Sequence, residues 1–236
     1  MRKMLLITIA IILPISFCCM AAEKKPLAQV NIKDFVGDTQ VFLTGAGDHH
    51  VGFAWWIPQE YWASVFARDK TTSEHDKREM LRVLSGVSLL VVGQADISNL
   101  GAFRFYGREE IAGRMQISLI DVAKTKRALA PMETIDADLE MLLGMLRPML
   151  AAAMGNMGNN MHFFVFNDRA GASGRLLDPY GEGCLDIRLT TRTGAAVTGS
   201  IDLPLNCLYV PRKCPNGKDA HISWKYCPWT GQKLPD

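Results

Sequence analysis

The chain has 236 residues, of which 48% are hydrophobic and 21% charged, enough for one sizeable core and a small appendage. Its 26 Lys and Arg against 24 Asp and Glu give a formal net charge of +2. No basic cluster stands out, which argues against nucleic acid and against a polybasic lipid contact as partners.

Arg2 and Lys3 precede the apolar run 5–17, and the small residues Ala21 and Ala22 follow it. That is the three-part pattern of a secretory signal peptide, so residues 1–22 are expected to be removed on export to the periplasm or the medium. Without Arg2 and Lys3 the chain holds 24 basic and 24 acidic residues and is formally neutral. Two alternatives stay open. Residues 4–22 carry no charge and approach the length of a membrane anchor. Cys18 or Cys19 is the other possibility, as a lipidated residue, although Phe17 is a poor neighbour for that modification. A membrane is a partner only if this segment is retained or lipidated.

Residues 23–38 read as a polar leader. Residues 39–43 (TQVFL) have strand composition, and the loop 44–50 (TGAGDHH) turns the chain on Gly45 and Gly47. A buried strand, 51–57 (VGFAWWI), ends at Pro58. Helical spacing then places Tyr61, Trp62, Val65 and Phe66 on one face of residues 59–68. Thr72 or Ser73 caps a second helix, 74–84, with Met80, Leu81 and Leu84 on its apolar side. Past Gly86 the pattern becomes extended: 87–95 is rich in branched apolar residues, and 102–106 and 115–120 alternate. Between them 108–114 forms one or two helical turns, and 121–127 is a polar connection.

The most apolar stretch outside the N-terminus is 139–166. Leu139, Leu142, Leu143, Leu146 and Leu150 follow the spacing of one helical face, with Met141, Met145 and Met149 on the next. A helix apolar nearly all round is buried in a core or spans a membrane. Glu140, Arg147 and Pro148 exclude the span, so one long buried helix is expected, capped by Asp136 or Asp138 and kinked at Pro148. A buried strand, 161–166 (MHFFVF), follows. Then come a turn-rich loop 167–174, an alternating strand 184–189 and a further strand within 195–205, interrupted near Gly199.

Beyond the expected signal there are four cysteines: Cys184, Cys207, Cys214 and Cys227. An even count in an exported chain favours disulfides, and four cysteines allow three pairings.

The tail carries Cys214-Pro-Asn-Gly217-Lys and then Trp224-Lys-Tyr-Cys227-Pro-Trp-Thr230-Gly231, closing on Leu234. It resembles a zinc ribbon of the kind that ends many bacterial proteins, in which two Cys-Pro-x-Cys-Gly knuckles grip one metal. Gly217 and Thr230 stand where each knuckle's second cysteine belongs, and structural zinc needs four ligands. The resemblance therefore implies a degenerate ribbon without metal. Facing knuckles bring their first cysteines close, which implies a Cys214–Cys227 disulfide and leaves Cys184 with Cys207. Residues 160–166 are in turn similar to uncharacterised exported bacterial proteins with such a tail, a likeness that implies no activity.

Several residues are candidate sites. Asp48, His49 and His50 form the most metal-capable cluster, suited to zinc or copper if further ligands reach it; loop residues at the mouth of a strand are the plainer explanation. The methionine row with His162 offers soft ligands for Cu(I), but methionine is an ordinary core filler. Ser173 lacks a G-x-S-x-G elbow. Cys184 with His162 makes a poor nucleophile pair where a disulfide is expected. Glu109 and Glu110 suit a helix start. Phe53, Trp55, Trp56, Tyr61 and Trp62 form either a ligand-facing wall or core; strand alternation puts Trp56 opposite Phe53 and Trp55.

The expectation is an α+β fold with mixed, mostly antiparallel sheet, one long buried helix and a small ribbon-like tail. It divides into a signal (1–22), a globular domain (23–206) and the tail (207–236). The expected function is that of an exported, non-catalytic binding or interaction protein with no cofactor; the alternative is a periplasmic metal-binding protein using Asp48, His49 and His50.

Overall fold

The computed structural model describes residues 22–170 and 174–234. The expected signal segment up to Ala21, with Cys18 and Cys19, and Ser173 lie outside the described residues. In chain order the helices are α1 (Ile32–Thr39), α2 (Gln59–Phe66), α3 (Glu74–Val83), α4 (Arg108–Ala112) and α5 (Ala137–Asn159). The longer strands are β1 (Gln40–Leu43), β2 (His50–Ile57), β3 (Val87–Ile97), β4 (Phe103–Phe105), β5 (Met115–Ile120), β6 (Lys126–Leu129) and β7 (His162–Asn167). After a two-residue hairpin, β8 (Arg169–Ala170) with β9 (Gly174–Arg175), come β10 (Gly183–Thr190) and β11 (Ala196–Leu203). A last small pair, β12 (Arg212–Lys213) and β13 (Asp219–Ala220), belongs to the C-terminal hairpin. The fold is α+β, and every strand pair among the described residues is antiparallel.

One sheet runs β1-β2-β3, with β7 and β4 pairing successive parts of the far edge of the long strand β3. The other runs β11-β10-β5-β6. They meet at both sides. Thr44, just past β1, exchanges two backbone hydrogen bonds with Thr198 of β11, at 3.0 and 2.9 Å. Past β6, the Met132 N–H donates to the Val165 carbonyl of β7 at 2.7 Å. The result is a flattened barrel, whose interior is filled by Trp56, Leu90, Val92, Phe164 and Phe166 from one sheet and Ile117, Leu185, Ile187, Val197 and Ile201 from the other.

The period of two along a strand decides which residues face inward. On β2, Trp56 enters the barrel while Phe53, Trp55 and Ile57 face the opposite way, into a second core beneath α5. β3 and β7 split likewise, with Leu89, Val91, Phe163 and Val165 in the second core. Both faces of β3 are thus buried, which is why residues 87–95 are apolar without a break. The layers are helices, sheet, sheet.

Four expectations are corrected. The long helix is buried on one face only: Leu139, Leu142 and Leu143 lie against the sheet, whereas Met141 and Met145 are 63% and 51% exposed. Its neighbours cover one side, because a single layer of helices lies on that sheet. The leader 23–38 contains α1, started by the Asn31 side chain accepting from the Lys33 N–H at 2.9 Å and anchored by Phe35 and Thr39 one turn apart. The last barrel strand is not broken at Gly199. A Cβ there would stand 2.6 Å from Val41 Cγ2 and 2.8 Å from Leu43 Cδ2, so glycine is what lets β1 lie across β11. The connection 121–127 is also shorter than expected, since β6 begins at Lys126.

Candidate functional site

Asp48 and His49 are exposed in the loop before β2, while His50 opens the strand and turns inward. Its Nε2 lies 3.0 Å from Gln94 Nε2 on β3, and its ring meets Tyr106 edge-on at 6.2 Å. The histidine ring and the amide are therefore committed to each other. Among the described residues no group of three His, Cys, Asp or Glu side chains is arranged to hold a metal ion.

Around Tyr106 a polar network closes one end of the barrel. The Tyr106 hydroxyl donates to Asp96 Oδ1 at 2.7 Å and accepts from the Arg192 N–H at 2.9 Å. The Arg192 guanidinium lies over the Tyr106 ring at 3.8 Å. It donates to both Glu110 oxygens at 2.7 Å, to Asp96 Oδ2 at 2.8 Å and to the Phe105 carbonyl at 3.0 Å. Such a forked, charge-assisted arrangement is strong and geometrically specific. Burial works to raise Asp96, but the Tyr106 and Arg192 hydrogen bonds outweigh it and hold the carboxyl below its ordinary range. The Arg192 fork lowers Glu110 as well. Burial lowers His50 and His162, the latter with Nε2 3.2 Å from the Tyr106 carbonyl. The Arg192 guanidinium is fully engaged here, whereas the buried Gln94 Oε1 has no hydrogen-bond partner among the described residues. That guanidinium ties the β10–β11 turn to β4 and α4, and Glu110 serves that tie.

Room for a ligand lies elsewhere. A cleft of about 600 Å³ opens where the turn after β5, the start of β10 and the end of β11 face the C-terminal hairpin. Tyr180 and Tyr209 meet edge-on at 5.9 Å in its wall. Lys24 sits 4.1 Å above the Tyr180 ring, and burial pushes the Tyr180 hydroxyl up to about 12. Lys124 and Lys225 supply positive charge, and Asp121, Glu182 and Asp202 negative charge. Ile222 and Ser223 of the hairpin form the facing wall. Tyrosine and apolar side chains thus stand among charges of both signs, and such polar groups fix a ligand's orientation in a pocket.

Cys184 lines this cleft, with Ser200, Asp186 and Asp202 as neighbours, and burial raises its thiol. His162 belongs to the Tyr106 network on the other sheet, so the two are not brought together as a nucleophile and base. Cys207 is buried in the barrel core beside the Asp38 carboxylate, and burial first, then Asp38, pushes its thiol well up. Cys214 and Cys227 do meet. Both are free thiols, buried with Ala220 and Leu234 in a cluster of their own. Burial raises both; at Cys227 the bonds from Cys214 and Thr230 prevail and bring it to about 7, while Cys214 rises to about 11.

The aromatic group is core. Trp55 Nε1 donates to Thr39 at 3.2 Å and Trp56 Nε1 to Ser88 at 2.6 Å, while Tyr61 stands edge-on to Phe35, Trp55 and Trp62. Met141 and Met145 line a shallow surface groove with Met80 and Val83 rather than a site with His162. Sequence reading missed Gln94, Asp96, Tyr106 and Arg192, and the Tyr180–Tyr209 pair. Each is a single polar or aromatic residue in an ordinary strand or turn, so no spacing marked it.

No protein-family model matches the chain, and comparisons with curated proteins and with solved structures find no match.

Proposed function

We propose that this is an exported, non-catalytic binding protein whose ligand site is the Tyr180–Tyr209 cleft. The observation that carries this reading is the cleft itself, about 600 Å³ in volume, with walls supplied by both the barrel and the C-terminal hairpin. The hairpin is read as the remnant of a zinc ribbon: it serves as a clasp that closes one side of the site. The walls suit a small amphipathic molecule with a charged group, with Tyr180, Tyr209 and Ile222 taking its apolar part and Lys124 or Lys225 an anionic group, beside the carboxylates of Asp121, Glu182 and Asp202.

The test uses anilinonaphthalene sulfonate, an amphipathic anionic dye, as probe. The unaltered protein is expected to bind it at one saturable site. Ser223→Trp, which places an indole in the cleft, is expected to abolish that site without moving the unfolding midpoint. Equal binding by both proteins, or none by the unaltered one, would overturn the assignment. Export is tested separately by fractionating cells that make the full chain. A processed polypeptide starting near Glu23 outside the cytosol is expected, and unprocessed chain in the cytosol alone would refute it.

A further inference from the structure

We propose that Cys214 and Cys227 form a disulfide that takes the place of the ribbon's zinc, and that Cys184 and Cys207 remain thiols. The proposal replaces the expected Cys184–Cys207 link.

The residues at the zinc positions do not fit the metal. Structural zinc takes four ligands, and Gly217 and Thr230 occupy the second position of each knuckle. Each cysteine still opens a hydrogen-bonded turn, the first one residue shorter than the second. The Gly217 N–H donates to the Cys214 carbonyl and the Cys214 N–H to the Lys218 carbonyl, both at 2.8 Å. At the second turn the Gly231 N–H donates to the Cys227 carbonyl and the Cys227 N–H to the Gln232 carbonyl, also at 2.8 Å. Gly217 and Gly231 take φ of 81° and 68°, where a glycine is at ease. The two turns bury their cysteines, both free thiols here, in one small cluster with Ala220 and Leu234.

The hairpin needs such a bond. Its own core is Cys214, Ala220, Cys227 and Leu234, and β12 and β13 pair over two residues each. Units of this size seldom hold without a metal or a disulfide. Closing a loop of about 15 residues shifts a folding equilibrium on the order of 100-fold in the chain-entropy model. Cys184 and Cys207 show nothing comparable. Cys184 keeps company with Ser200 and Asp202 on the outer face of the second sheet, and Cys207 with Asp38 in the barrel core.

The oxidant is a low-molecular-weight disulfide such as oxidised glutathione. Cys227 sulfur, as thiolate, attacks one sulfur of the oxidant and expels the first glutathione thiolate, which takes up a proton. Cys214 then gives up its proton and attacks Cys227 sulfur, breaking the mixed disulfide and expelling the second glutathione. Two electrons and two protons pass from the cysteine pair to the oxidant.

The test equilibrates the purified full chain with oxidised and reduced glutathione, so that it does not depend on export, and maps the peptides by mass without reduction. A peptide linking 214 to 227 is expected, with 184 and 207 alkylated as free thiols. A 184–207 or 207–214 link, no link at all under oxidising conditions, or stoichiometric zinc in the reduced protein would overturn the proposal. As a second readout, dithiothreitol is expected to speed tryptic cleavage at Lys218 and Lys225 on the order of 100-fold, and to have no such effect on the double variant C214S/C227S. Equal cleavage of the unaltered protein before and after reduction would count against it. Because the dye experiment reads the cleft and the peptide map reads the sulfurs, failure of one is distinguishable from failure of the other.

Discussion

Arg192 shows how much a single side chain can organise. It reaches Glu110 and Asp96 across 82 and 96 residues of chain and covers the Tyr106 ring. Hydrogen bonds to charged groups contribute about 1.5–3 kcal/mol each when one partner is removed. Arg192→Ala is therefore expected to lower stability by about 2–3 kcal/mol in urea denaturation, since its partners are partly reached by water. Arg192→Lys is expected to restore little, because an ammonium cannot fork across Glu110 and reach Asp96 together. The acid behaviour follows from the same contacts. Asp96 and Glu110 are held below their ordinary values of 3.8 and 4.5. Their contribution is present above those values and lost as pH falls through the lowered ones. The unaltered protein should lose stability more steeply below about pH 4.5 than Arg192→Ala does; parallel profiles would show that these carboxylates are not what the arginine stabilises. None of this was legible in the sequence, where Arg192 is one residue of a polar turn.

At the scale of elements, α5 separates what periodicity reveals from what it conceals. Leucine spacing identified the helix and its buried face, and Asp136 is the cap, accepting from the Leu139 N–H at 2.9 Å. The methionine face looks equally apolar on paper, yet among the described residues no element packs over Met141 and Met145. Leu143→Ala is expected to cost about 2–5 kcal/mol, as a large-to-small change in a core. Met145→Ala should stay within about 0.5 kcal/mol, as a surface change. Thermal unfolding of the pair checks this; a comparable loss at Met145 would mean that the outer face is covered in solution. The missed helix α1 has the opposite cause. Its sequence is polar apart from a few positions, and its existence depends on Phe35 entering the core.

For the whole molecule, the joint between the sheets decides whether there is one barrel or two open sheets. β1 lies across β11 at Gly199, beside the Thr44–Thr198 hydrogen bonds. Gly199→Ala forces a methyl group against Val41 and Leu43, and overpacking of this kind costs about 1–3 kcal/mol. The expected signature is a lowered urea midpoint with faster hydrogen exchange at Thr44 and Thr198; an unchanged midpoint would show that the strands separate at no cost. The sequence by itself determined the strand and helix order over most of the chain, the antiparallel α+β class and the apolar face of the long helix. Those properties are local, written in a period of two or 3.6. Only the tertiary structure decided that the sheets close into a barrel, that His50 faces Gln94 while Asp48 and His49 stay in solvent, that a cleft forms against the hairpin and which cysteines meet. Those depend on contacts between residues far apart in the chain, for which spacing along the sequence carries no signal.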